Sequence, residues 1–125
     1  QHRIARFHLV DNTRGEPPMW KEEEIRLLKM TLDGTILRGT VHLETADGTR
    51  GYEAELMGKL EVRSGKVVRF DMVADGSFWG HGPYTGNAPK GRFPLAVGFR
   101  LADGTDVADR VPPKGSRGWV QGYIR

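Results

Sequence analysis

The chain has 125 residues, of which 38% are hydrophobic and 28% are charged, a composition typical of a globular protein. It has no cysteine, which excludes disulfide bonds, thiolate metal sites and thiol nucleophiles. No apolar run approaches the ~20 residues of a membrane-spanning helix. The sequence therefore predicts a single domain over residues 1–125, with a mildly basic formal net charge of +3.

The N-terminal third is the least regular part of the chain. Residues 3–10 suit an edge strand, and residues 11–19, which include two adjacent prolines, suit a loop. After one helical turn, a strand is expected from about Glu24, because apolar residues alternate from there to the turn signal Asp33-Gly34.

Turn signals divide the rest of the chain into runs of strand length. Asp-Gly or Ser-Gly pairs, whose glycine reaches positive φ freely, occur at 33–34, 47–48, 64–65, 75–76 and 103–104. The runs between them alternate apolar with polar residues, which is typical of strands with one buried and one exposed face. Such strands are expected at 35–45, 51–62, 66–74 and 92–101, with a short last strand over residues 118–125.

These elements predict an all-β, antiparallel domain of about seven strands, with helix under roughly 15%. Consecutive strands joined by hairpin turns favour an up-and-down barrel or a strongly curved sheet, and a two-sheet β-sandwich is the alternative. The phase of the strands also predicts the core, which should contain Leu43, Tyr52, Leu56, Leu60, Phe70, Leu95, Val97 and Phe99.

The segment 78–92 is the main candidate for a binding site. It is long and rich in glycine, proline and aromatic residues, and no acid occurs between positions 76 and 102. Together with the basic segment 110–119, it would favour an anionic or aromatic partner. The candidate ligand-binding residues are Trp79, His81, Tyr84, Asn87, Lys90, Arg92, Arg117 and Trp119. A structural interpretation stays open, in which the glycines permit turns and the aromatic rings close the core.

No catalytic motif accompanies this segment. The chain has four scattered histidines, His2, His8, His42 and His81. Because none forms a pair at ligand spacing, neither a metal nor a cofactor is expected. The serines lack the context of a nucleophile, and the glycine-rich stretches lack the spacing of a phosphate-binding loop. Glu53, Glu55 and Glu61 share one face of a predicted strand, which we expect to be solvated.

We therefore expect a non-enzymatic accessory module that binds a small anionic ligand or a partner protein. One alternative is an enzyme with His81 as general acid or base in a barrel mouth, and an enclosed polar pocket around His81 would favour it. A second is a β-barrel that binds single-stranded nucleic acid, which the small net charge disfavours. The first residue is Gln rather than Met, which favours an exported protein or a part of a longer one.

Overall fold

The computed structural model describes residues 2–110 of the chain. They form one antiparallel sheet of five strands in the order β1-β2-β3-β4-β5, so that each strand pairs with its neighbours in the sequence. The strands are β1 (Ile25–Asp33), β2 (Ile36–Glu44), β3 (Gly51–Arg63), β4 (Lys66–Trp79) and β5 (Arg92–Arg100). Helix α1 (His2–His8) and a 3-10 turn (Glu22–Glu24) precede the sheet, and a second 3-10 turn (Val107–Arg110) follows it.

The all-β, antiparallel class with little helix is confirmed. Residues 2–110 contain five strands rather than about seven, and the predicted last strand at 118–125 lies outside this range. Within the same range, no helix is long and apolar enough to cross a membrane.

The prediction of an edge strand at residues 3–10 is wrong, because most of this stretch forms helix α1. The helix buries Ala5 and Phe7, and Leu9 and Val10 directly after it are also buried. A helix of seven residues has little stability by itself. Its burial against the sheet therefore stabilises it, and this contact cannot be inferred from residues 3–10 alone.

The prediction of a turn at Asp75-Gly76 is also wrong, because both residues lie inside β4. Gly76 is paired with Ala54 of β3, and the two main chains approach closely there. A Cβ atom on Gly76 would lie 1.9 Å from the carbonyl oxygen of Glu53. The glycine thus permits a close contact between strands rather than a turn. As a result β4 continues to Trp79, which belongs to the sheet and not to a loop.

One face of the sheet, here called the inner face, is covered by the N-terminal segment. Trp20 is fully buried on it, and its indole N–H donates to the carbonyl oxygen of Leu9 at 2.6 Å. The Trp20 ring lies 6.1 Å from the ring of Phe78 between centroids, and Phe78 in turn contacts Tyr52. The Tyr52 hydroxyl lies 3.1 Å from the carbonyl oxygen of Ala74 and 2.9 Å from that of Leu95, and the two oxygens share its one hydrogen. Burial raises the pKa of the Tyr52 hydroxyl, the charge of Asp75 adding to the effect.

The predicted core residues all belong to this cluster. Leu43, Tyr52 and Leu56 are buried. The others are partly buried and pack against the buried residues, and they are Leu60, Phe70, Leu95, Val97 and Phe99. The alternation along the strands therefore gave the correct inner face. The contribution of the N-terminal segment, above all Trp20, was missed.

Candidate functional site

The loop between β4 and β5, residues 80–91, is held against the loop that precedes the first 3-10 turn. The N–H of Gly82 donates to Thr85 Oγ1 at 2.8 Å, and the N–H of Thr85 donates to the carbonyl oxygen of Gly82 at 3.2 Å. Gly82 lies directly against Pro18, since a Cβ atom at this position would be 2.2 Å from Pro18 Cδ. These contacts fix the main chain on both sides of Tyr84.

Tyr84 forms one wall of a groove with a volume of about 530 Å³, here called the Tyr84 groove. The Tyr84 side chain is prominent, with 76% of the residue surface exposed. Most of the lining is apolar, and the complete set is Arg6, Glu16, Pro17, Pro18, Met19, Trp20, Lys21, Pro83 and Tyr84. Two cations and one anion therefore lie in or beside an apolar groove.

A buried arginine holds the opposite wall of the Tyr84 groove in place. The Arg50 guanidinium donates to the carbonyl oxygen of Pro18 at 2.8 Å and lies over the Trp20 ring, 4.0 Å from its centroid. It also lies 3.8 Å from the carboxylate of Glu24, which accepts the N–H of Lys21 at 2.8 Å. Burial lowers the pKa of Arg50, and the charge of Glu24 opposes this shift. Residues 18–21 thus have a fixed conformation although all four lie outside regular elements.

Helix α1 contributes Arg6 to the same wall. Its Nε donates to the carbonyl oxygen of Trp20 at 3.1 Å, and the N–H of Trp20 donates back to the carbonyl oxygen of Arg6 at 3.0 Å. This reciprocal pair fixes the helix to the loop. The Arg6 side chain is therefore held at the groove in the absence of a ligand.

Trp79 and Arg92 lie together elsewhere, on the outer face of the sheet. The Arg92 guanidinium carbon is 3.9 Å from the centroid of the Trp79 ring, and Arg92 donates to a Glu53 carboxylate oxygen at 2.6 Å. This hydrogen bond and the charge of Arg92 lower the pKa of Glu53. His42 Nε2 lies 3.1 Å from Glu44 and 3.5 Å from Glu53. The positive charge expected at Arg92 is therefore balanced by an acid from β3.

The remaining predicted site residues line neither the Tyr84 groove nor the contact between Trp79 and Arg92. His81, Asn87 and Lys90 are exposed on the loop surface. His81 lies at the edge of a shallow depression that Asp47 also lines, and its Nδ1 is 3.1 Å from the carbonyl oxygen of Gly82. Trp79, His81 and Tyr84 therefore line no common groove, although the depression at His81 borders the Tyr84 groove at Pro18 and Pro83. Arg117 and Trp119 lie outside the described residues, as does all of the basic segment 110–119 except the main chain at position 110.

The sequence interpretation missed the residues on the N-terminal side of the Tyr84 groove, which are Arg6, Lys21 and the proline pair. The signal was present at 17–21, where two prolines are followed by Met, Trp and Lys. Within residues 2–110 there is no group of three or more His, Cys, Asp or Glu side chains that could hold a metal ion. No family model, curated protein or solved structure matches the chain.

Proposed function

We propose that this protein is a non-enzymatic binding module whose Tyr84 groove receives an apolar or aromatic side chain of a partner polypeptide, next to an anionic group. The observation that carries the proposal is the exposed Tyr84 ring on a main chain fixed from both sides. A rigid aromatic side chain offers a large contact area and loses little conformational entropy on binding. Such residues are frequent at the centres of interfaces.

The charges beside the Tyr84 groove favour an anionic partner. Arg6 and Lys21 contribute two positive charges and Glu16 one negative charge. The N–H donors of arginine and lysine suit a carboxylate or phosphate. The groove is open and lined by prolines, a shape that suits an extended segment better than a small molecule, which usually occupies a more enclosed cavity.

Two observations make the alternatives less suitable. His81 lies beside an open depression, where water competes with any proton transfer to a substrate. A nucleic acid that stacked on Trp79 would meet the carboxylates of Glu44 and Glu53 beside it, and these repel phosphates. The open surface and the balanced charges support a binding module rather than an enzyme or a nucleic-acid-binding barrel.

The proposal can be tested with a peptide library displayed on phage and selected on the full chain. Selected peptides should be rich in Asp or Glu beside an apolar or aromatic residue. Tyr84→Ala should weaken their binding at least about 30-fold, as expected for an interface residue worth about 2 kcal/mol. Lys21→Ala should weaken it less and reduce its dependence on salt.

The matched control is Val107→Ala, because Val107 is 79% exposed and does not line the groove. This variant should bind the selected peptides like the unchanged chain. Peptides that bind Tyr84→Ala and Val107→Ala equally well would show that the groove is not the binding site. Failure to select any peptide would contradict a polypeptide partner.

A further inference from the structure

The inner face of the sheet has an apolar groove away from Trp20, with a volume of about 430 Å³. It is lined mainly by Ile4, Met30, Leu32, Leu60, Phe70 and Leu101. Leu32 is 51% exposed and Leu101 is 40% exposed. The N-terminal segment covers the inner face around Trp20, but this second region stays open among the described residues. Exposed apolar surface of this kind favours the binding of another apolar group.

The path of the chain brings its own remaining residues towards this groove. The N–H of Leu101 donates to the carbonyl oxygen of Phe70 at 2.8 Å, so the chain leaves β5 at the border of the groove. The described part ends at position 110, and residues 111–125 follow. The last seven residues of the sequence include four large apolar side chains, Trp119, Val120, Tyr123 and Ile124.

The length of the connection is sufficient. The eight residues from position 110 to position 118 can span up to about 26 Å, at ~3.3 Å per residue. A chain of this size has a radius of gyration of about 14 Å. The segment can therefore reach any part of the inner face that borders β5.

We propose that residues 118–125 bind in the apolar groove of their own chain, with the rings of Trp119 and Tyr123 against Met30, Leu60 and Phe70. This inference is independent of the Tyr84 groove, which has a different lining. The binding would cover the open region of the inner face, as the N-terminal segment covers the rest. A segment of the same chain also has a high effective concentration at the groove, which an external partner lacks.

Methyl NMR of the full chain, labelled at methionine, tests this proposal. Met30 lines the apolar groove, whereas Met57 is 60% exposed and does not line it. Replacing both rings, by Trp119→Leu and Tyr123→Leu, should shift the Met30 methyl signal, because nearby aromatic rings no longer act on it. The Met57 signal should stay in place and report an unchanged fold. An unchanged Met30 signal would contradict the proposal.

Disulfide cross-linking gives a second, independent test, since the chain has no native cysteine. Leu32 lines the groove from the inner face and is half exposed, so the pair Leu32→Cys and Gln121→Cys should form a disulfide within one chain under mild oxidation. The control pair, Glu55→Cys and Gln121→Cys, starts from an exposed residue outside the groove and should stay reduced. Equal cross-linking of both pairs, or disulfides only between two chains, would overturn the proposal.

Discussion

Replacement of Gly76 by Ala should destabilise the protein strongly, because the strands leave no room for a methyl group there. The added Cβ atom would lie 1.9 Å from Glu53 O, 2.6 Å from Ala54 Cα and 2.7 Å from Ala54 Cβ. None of these atoms can rotate away, so β3 and β4 must separate locally. Overpacking costs about 1–3 kcal/mol, and the contact with main chain places this variant near 3 kcal/mol. For a domain of this size, Tm should fall by roughly 10–15 °C.

The measurement is thermal and urea unfolding of the full chain, followed by circular dichroism. The matched control is Gly98→Ala on β5, where an added Cβ atom meets nothing within 4 Å. Alanine is less flexible than glycine in the unfolded chain, so this control should be unchanged or more stable by about 0.5–1 kcal/mol. Equal effects of the two substitutions would refute the close contact at Gly76.

Three further variants test the core, the buried arginine and an acidic turn. Leu56→Ala should lower the free energy of unfolding in urea by about 2–5 kcal/mol, whereas Met57→Ala on the exposed face should lower it by under about 0.5 kcal/mol. Similar losses in the two variants would contradict the assignment of the inner face. Arg50→Ala should lower the free energy of unfolding by about 3–5 kcal/mol, because Glu24 remains buried without its cation. Adding Glu24→Gln to this variant removes the unpaired charge and should recover part of the loss. The pKa of Asp47 is lowered from 3.8 to about 2 by hydrogen bonds from Thr45 and Thr49, and NMR titration of Thr49→Val should show it higher. A lowered carboxyl pKa stabilises the folded state above about pH 4, and this stabilisation is lost as the pH falls to about 2. Between these pH values, Thr49→Val should therefore lose less stability than the unchanged chain. An unchanged pKa of Asp47 in this variant would contradict the prediction.

The strands could be predicted from the sequence because their alternation records which face is buried. The end of β4 could not be predicted from the sequence, and a short motif that occurs three times in the chain shows why. Ala-Asp-Gly followed by Thr or Ser occurs at 46–49, 74–77 and 102–105. In the first and third copies, Asp47 and Asp103 accept hydrogen bonds from the threonine two residues later. The second copy is extended, since its glycine pairs with Ala54 on another strand. Nearly identical local sequences therefore gave different structures.

The candidate site was predictable only in part, for a related reason. The sequence indicated that Tyr84 lies in a loop, but not that the proline pair and Arg6 line the same groove. It gave Arg92 as a candidate ligand-binding residue but did not indicate its ion pair with Glu53, which comes from a strand far away in the sequence. Both cases concern residues far apart in the sequence that the fold brings together, and composition along the chain carries no information about such contacts.

The packing of Trp20 on Phe78 has a consequence for the order in which the chain folds. The hairpins β1-β2 and β3-β4 are local and can form soon after their residues are synthesised. The N-terminal segment is made first, yet Trp20 lacks its packing partner Phe78 until β4 exists. We therefore expect it to attach late, after the transition state. A shortened side chain at Trp20 should then accelerate unfolding while the rate of folding stays nearly constant.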